Sequence, residues 1–142
     1  MAPDETPLFD DRSSGQASGG SAHADGVEIE AERVDEGVVL HVSGDLDLLT
    51  TSALTDAVAQ ELRGSPAALV IDLSGVGFIA SRGLEALVIA HQSAGEGVVR
   101  VVVTTRAIMR PLSLTGLLGV LRVYESVPAA LAADTEPERS GS

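Results

Sequence analysis

The residue whose type and position point most directly to chemistry is Ser81, which lies where an apolar segment and a glycine-bearing loop give way to a helical pattern. A serine at a helix start often caps the helix, because its hydroxyl oxygen accepts a hydrogen bond from a backbone N–H of the first turn. Capping is the favoured interpretation from the residues alone. The same position also suits a phosphate, since the first N–H groups of a helix are free and its dipole is positive there. Arg82 follows directly and could pair with such a phosphate.

Other residues that could support catalysis or metal binding are few. The sequence contains no G-x-G-x-x-G, Walker-type phosphate loop or G-x-S-x-G elbow. His23, His41 and His91 lack metal-ligand spacing, and we interpret them as one arm residue and two surface or boundary residues. Asp45 and Asp47 are too few for a calcium-type cage, which takes about six or more oxygens, and Asp47 is expected instead to cap a turn. We therefore expect no enzyme, no metal and no cofactor.

Composition limits the cellular compartment and the classes of partner that can be expected. The chain has 142 residues, which fits one domain, and 21 acidic against 9 basic residues give a formal net charge of -12. A surface this negative repels phosphate backbones, so direct nucleic-acid binding is not expected and a partner with a basic docking face is favoured. The absence of cysteine rules out disulfides and thiolate ligands. With no signal-peptide pattern and no apolar run of bilayer-spanning length, we expect a cytoplasmic protein without membrane contact.

Hydrophobic periodicity predicts the strands and helices that carry these residues. A single α/β domain is predicted over residues 26–134, between a disordered N-terminal arm at 1–25 and a flexible tail at 135–142. Strand–helix alternation after an initial hairpin predicts a mixed, mostly parallel sheet flanked by helices. Because only 2% of the residues are aromatic, the core is expected to be aliphatic, with Phe78 among its few large side chains.

The individual segments are predicted as follows. The expected strands cover residues 27–32, 38–43, 68–73, 98–103 and 121–124, and the expected helices cover 51–62, 81–94, 107–119 and 128–133. The run at 68–73 is nearly all apolar, which is typical of a parallel strand buried on both faces. A loop is predicted at 74–77, and Arg100 interrupts the apolar strand at 98–103.

Four linked segments resemble those of STAS domains, and most closely those of bacterial anti-sigma factor antagonists. They are GDLD at 44–47, VIDLSGV at 70–76, FIASRGL at 78–84 and LTGL at 114–117. They occur in the order and spacing seen in that family, and the resemblance covers residues 26–134. Four linked segments are much more specific than any one of them alone.

The resemblance implies a function and a set of site residues. Such proteins bind an anti-sigma factor with a histidine-kinase-like ATPase fold, which releases a sigma factor. The anti-sigma factor is also a serine kinase that phosphorylates the serine opening the second helix and so breaks the complex, and a serine phosphatase restores it. The matching serine is Ser81, and Asp47 matches the loop aspartate near the docking surface. The partner-binding residues expected on this basis are Asp45, Asp47, Ala80, Ser81, Arg82 and Gly83.

The helix start departs from the usual Asp-Ser-Ser-Gly or Asp-Ser-Thr-Gly of the family, because Ala80 precedes the serine and Arg82 follows it. This change removes one negative charge and adds one positive charge, which could help to hold a phosphate or could defeat a kinase adapted to the usual motif. A second hypothesis is therefore a non-phosphorylated scaffold or adaptor for a transporter, sensor or larger assembly. A third, nucleotide binding, is opposed by the missing phosphate loop and the negative charge.

Overall fold

The computed structural model describes residues 21–24 and 26–133, which form one six-stranded sheet with helices on both faces. Its strands are β1 (Ser21–Ala24), β2 (Val27–Val34), β3 (Gly37–Leu46), β4 (Leu69–Ile79), β5 (Val99–Val102) and β6 (Arg122–Tyr124). Its helices are α1 (Thr51–Leu62), α2 (Ser81–Ala94), α3 (Arg106–Leu114) and α4 (Val127–Ala132), and a 3-10 turn covers Leu117–Gly119. The strands follow chain order across the sheet; β1, β2 and β3 are antiparallel, and β3 to β6 are parallel. The predicted mixed, mostly parallel α/β fold is confirmed.

Side chains of the central strands belong alternately to two separate hydrophobic cores. On β3, Val38 and Leu40 belong to the larger core, whereas Val39 between them belongs to a smaller one. Successive side chains of a strand point to opposite faces, so the two cores lie on opposite sides of the sheet. Helices α1, α2 and α3 cover the larger core, and Ala130 of α4 packs on the smaller one. The apolar run in β4 is buried on both faces for this reason, as predicted.

A buried arginine holds the small helix α4 in place. The side chain of Arg100, on β5, is only 1% exposed. Its Nε donates to the Gly97 carbonyl oxygen at 3.0 Å, and its Nη1 donates to the carbonyl oxygens of Ala130 at 2.7 Å and Ala133 at 2.8 Å. Arg100 therefore does not interrupt the strand, because its charge is used to satisfy carbonyl groups at the end of α4.

Two predictions about the elements are wrong. Ser21–Ala24, which the sequence placed in a disordered arm, forms β1 and pairs with β2; such pairing uses backbone hydrogen bonds and needs no hydrophobic period. The segment 74–77, predicted to be a loop, belongs to β4, which continues beside β3 as far as Ile79. The rest of the predicted arm and the predicted tail at 135–142 lie outside the described residues.

The remaining differences lie at element ends. Helix α3 stops at Leu114 rather than 119, because Gly116 adopts a left-handed conformation with φ of +79° and a 3-10 turn follows. Helix α2 ends where predicted, before Gly95, whose φ is +93°. None of the helices in the described part of the chain is both long and apolar enough to cross a bilayer.

Candidate functional site

The predicted site residues meet at the carboxyl ends of β3 and β4. The two strands run side by side there, with Asp45 opposite Phe78 and Leu46 opposite Ile79. The Ala80 N–H then donates to the Leu46 carbonyl oxygen at 2.8 Å, which joins the start of α2 to the end of β3. The loop from β3 to α1 and the first turn of α2 thus form one edge of the sheet. We call this edge the Ser81 surface and define it as Asp45, Leu48, Leu49, Phe78, Ser81 and Arg82.

Ser81 is the first residue of α2 and is exposed. The N-cap position belongs to Ala80, whose backbone is extended with φ of -88° and ψ of 172°, and no side chain caps the helix. The predicted capping role of Ser81 is therefore wrong, because the serine already lies within the helix. Its hydroxyl makes no hydrogen bond to any residue that the structure describes. The first N–H groups of a helix have no partner within the helix, so a phosphate on Ser81 would find donors beside it.

Arg82 is the cation next to Ser81. Its Nε lies 3.8 Å from an Oε atom of Glu85, and the two side chains are 62% and 63% exposed. Exposed pairs of this kind contribute little to stability and hold neither side chain firmly. The guanidinium is therefore available to a phosphate or to a partner carboxylate.

Gly83 fixes the position of the helix start. It is buried, and a Cβ at this position would lie 2.7 Å from the Ile79 Cγ1 and 3.2 Å from the Leu46 Cβ. Only a residue without a side chain lets the first turn of α2 lie this close to the ends of β3 and β4. The structure gives Gly83 a packing role, and its part in partner binding stays a prediction.

Asp47 organises the loop between β3 and α1. Its Oδ1 accepts hydrogen bonds from the N–H groups of Leu49 and Thr50, both at 2.9 Å, and from the Thr50 hydroxyl at 3.0 Å. These contacts, the Thr50 N–H first, hold the pKa of the Asp47 carboxyl below its ordinary value of 3.8. The predicted turn-capping role of Asp47 is confirmed. Among the described residues, no three acidic or histidine side chains are grouped as a metal ion requires.

Exposed apolar side chains on the same edge were not predicted. Leu48 is 67% exposed, Leu49 is 81% exposed and Phe78 is 51% exposed. The expectation that Phe78 fills the core is wrong, because Leu46 and Ile79 take the buried side where the two strands pair. The pair of leucines directly after Asp47 was the sequence signal for this exposed apolar surface. A loop rarely places two large apolar residues in water unless a partner covers them.

A separate charged cluster lies on β2, β3 and β4, away from the Ser81 surface. His41 Nδ1 is 2.9 Å from an Asp72 carboxylate oxygen, and His41 Nε2 is 2.8 Å from a Glu32 carboxylate oxygen. Partial burial opposes protonation of His41, but the hydrogen bonds to Glu32 and Asp72 outweigh it and raise the pKa of the imidazole above 6.5. The sequence placed this histidine at a boundary and gave no sign of the cluster, because its members come from three strands.

Comparison with known proteins agrees with this architecture. The sequence model of the STAS domain matches residues 28–130. The chain belongs to the STAS domain family. This STAS domain is 37% identical over 94 residues to the anti-sigma-F factor antagonist RsfB of Mycobacterium tuberculosis, an alignment that covers 66% of this chain and 77% of that protein.

Solved structures show the same relationship. A crystal structure of an anti-sigma factor antagonist from Mycobacterium paratuberculosis superimposes on this STAS domain with a TM-score of 0.74 and 36% identity, covering 79% of this chain and 97% of that chain. The anti-sigma factor antagonist SpoIIAA in its unphosphorylated form gives a TM-score of 0.52 at 15% identity, covering 71% of this chain and 91% of that chain. The likeness to SpoIIAA shows the shared fold alone.

Proposed function

We propose that this STAS domain is a cytoplasmic anti-sigma factor antagonist controlled by phosphorylation of Ser81. It binds an anti-sigma factor of the histidine-kinase-like ATPase fold and thereby frees a sigma factor. The same anti-sigma factor acts as a serine kinase on Ser81, and a serine phosphatase reverses the modification. The chain itself is not an enzyme in this scheme, and it contacts neither nucleic acid nor membrane.

The observation that carries the proposal is the placement of Ser81. Its hydroxyl is exposed at the first position of α2, makes no hydrogen bond within the described residues, and lies on an edge with exposed leucines. A kinase can therefore reach the oxygen without unfolding the domain. The relative named as an anti-sigma-F factor antagonist, at 37% identity, supports the assignment of the partner class.

The physical basis of the switch is charge in an interface. A phosphoserine carries about -1.5 to -2 charges at neutral pH. Free N–H groups of α2 and the Arg82 guanidinium can hold the phosphate on the unbound domain. In the complex, the same charge would be desolvated against the partner, and a mispaired charge in such a place costs several kcal/mol. Phosphorylation should therefore weaken binding while the fold persists.

A second candidate is a scaffold or adaptor that is never phosphorylated. The observation favouring it is the residue pattern at the helix start, where Ala80 replaces the usual acidic residue and Arg82 the small hydroxyl residue. Arg82 is 62% exposed, so a kinase docking on this edge would meet its charge directly. A partner of another class could use the same edge as a constant contact.

Phosphosite mapping separates the two candidates. The full chain is incubated with ATP and each anti-sigma kinase of the source organism that a pull-down recovers, and modified residues are located by mass spectrometry. We expect one phosphate at Ser81, none in Ser81→Ala, and normal modification in the matched control Ser52→Ala, another exposed serine at a helix start. A kinase that is active on a known substrate but leaves Ser81 unmodified would contradict the switch. Recovery of an assembly without any anti-sigma kinase would favour the scaffold.

A further inference from the structure

An apolar groove lies between α1 and α2, and none of its lining residues belongs to the Ser81 surface. Its volume of about 380 Å³ falls within the range of small-molecule sites, which is about 300–1,000 Å³. The buried side chains of Leu54, Ile71 and Leu87 form its floor. Ile89, at its lip, is 54% exposed. The groove therefore offers an apolar wall that the described part of the chain leaves in contact with water.

The groove exists because both helices present alanine to it. Ala59 of α1 and Ala86 and Ala90 of α2 line it, and each contributes only a methyl group. Larger side chains at these positions would close the space between the helices. Transfer of an apolar ligand from water into such a space is favourable.

One charge lies at the groove, and it is positive. Arg63, the residue directly after α1, is the single charged residue among those that line the groove. Within the described residues Arg63 makes no ion pair, a property that it shares with Arg106 and Arg110 of α3, but of these three only Arg63 lines the groove. A guanidinium without an acidic partner among the described residues is the complement of an anionic head group.

We infer that this groove binds a free single-chain amphiphile with a carboxylate head, of the fatty-acid class. The alkyl chain of the ligand lies along Leu54, Val58 and Ile89, and its carboxylate contacts the Arg63 guanidinium. A two-chain membrane lipid is not the ligand, because the volume of about 380 Å³ holds a single alkyl chain. The inference goes beyond the proposed function and does not depend on it.

The direct test is a titration of the full chain with dodecanoate, below its aggregation concentration, followed by methyl NMR. We expect saturable shifts for the methyl groups of Leu54, Val58 and Ile89 and none for Ala130, which lies in the core on the other face of the sheet. Dodecyltrimethylammonium, with the same chain and a cationic head, should bind at least about fivefold more weakly. No saturable shift with dodecanoate would overturn the site, and equal affinity for the two heads would overturn the assignment of an anion.

Variants locate the ligand. Ala86→Leu fills the groove from a half-exposed helix position and should weaken dodecanoate binding more than about tenfold, while leucine keeps the helix stable. Ala107→Leu, on the exposed side of α3, is the matched control and should bind as the parent does. Arg63→Gln should weaken binding about two- to fivefold, as loss of an exposed ion pair does, and Arg106→Gln should not. Unchanged binding by a folded Ala86→Leu variant, checked by circular dichroism, would overturn the location.

Discussion

Replacement of Arg100 by methionine tests how a buried charge stabilises this fold. Methionine keeps much of the apolar stem but removes the donors to the carbonyl oxygens of Gly97, Ala130 and Ala133. Helix α4 has only six residues, and isolated helices shorter than about 12–15 residues are marginal in water. Its position therefore depends on these hydrogen bonds and on the small core around Ala130.

The size of the effect follows from the burial. A hydrogen bond to a charged group contributes about 1.5–3 kcal/mol, and leaving a buried carbonyl oxygen without its donor costs about 1–3 kcal/mol. Arg100 is 1% exposed, so solvent does not screen these contacts. Removing the guanidinium also removes its desolvation cost, which offsets part of the loss. We expect Arg100→Met to lower the free energy of unfolding by about 2–4 kcal/mol.

Urea denaturation followed by circular dichroism measures this loss, and amide hydrogen exchange should show α4 opening more readily than the strands. Arg106→Met, at an exposed position of α3, is the matched control and should change the free energy of unfolding by no more than about 0.5 kcal/mol. An Arg100→Met protein within about 1 kcal/mol of the parent, with unchanged exchange in α4, would refute the role given to this side chain.

Three further variants probe the loop and the sheet. Leu49→Ser, at an 81% exposed position, should leave the free energy of unfolding within about 0.5 kcal/mol of the parent but weaken binding to the anti-sigma factor by about tenfold or more, as calorimetry would show. Asp47 has a lowered pKa, so its stabilising contribution is present above pH 3.8 and is lost as pH falls through the lower pKa of the folded state. Asp47→Asn should therefore be less stable than the parent at neutral pH, and denaturation in strong acid should show the difference vanish. His41 has a raised pKa, so its contribution is full below pH 6.5 and is lost as pH rises through the higher folded-state pKa; His41→Gln should remove that step from a stability–pH profile.

The sequence predicts the fold class well because the buried strands have hydrophobic patterns that can be recognised locally. The alternation of Val27 and Ile29 with glutamates identifies a hairpin strand by its period, and the short apolar run at 68–73 indicates a central strand by its length and composition. The misread segment at 74–77 shows the limit of that reasoning. Gly75 marks a close approach of two strands rather than a turn, because a Cβ on Gly75 would lie 2.9 Å from the Ser43 Cβ. Such contacts depend on the neighbouring strand and cannot be read from the local sequence.

The candidate site was predictable in its position but not in its atomic details. The helix start at residue 81 follows from the pattern, yet a shift of one residue decides whether a serine caps the helix or lies within it. The exposure of Phe78 depends on the irregular pairing of β3 with β4, where the register shifts between Gly44 and Asp45. The placement of His41 between two carboxylates depends on cross-strand register as well. None of these features has a local sequence signal.

In the proposed function, charge on Ser81 controls partner binding. The most direct measurement is the affinity of the parent, Ser81→Ala and Ser81→Asp for the anti-sigma factor that the pull-down identifies. Ser81→Ala should bind as the parent does, because the hydroxyl makes no hydrogen bond within the described residues. Ser81→Asp should bind at least about tenfold more weakly, since it places a charge in the interface without changing the fold. Equal affinities for Ser81→Ala and Ser81→Asp would contradict control by charge at this position.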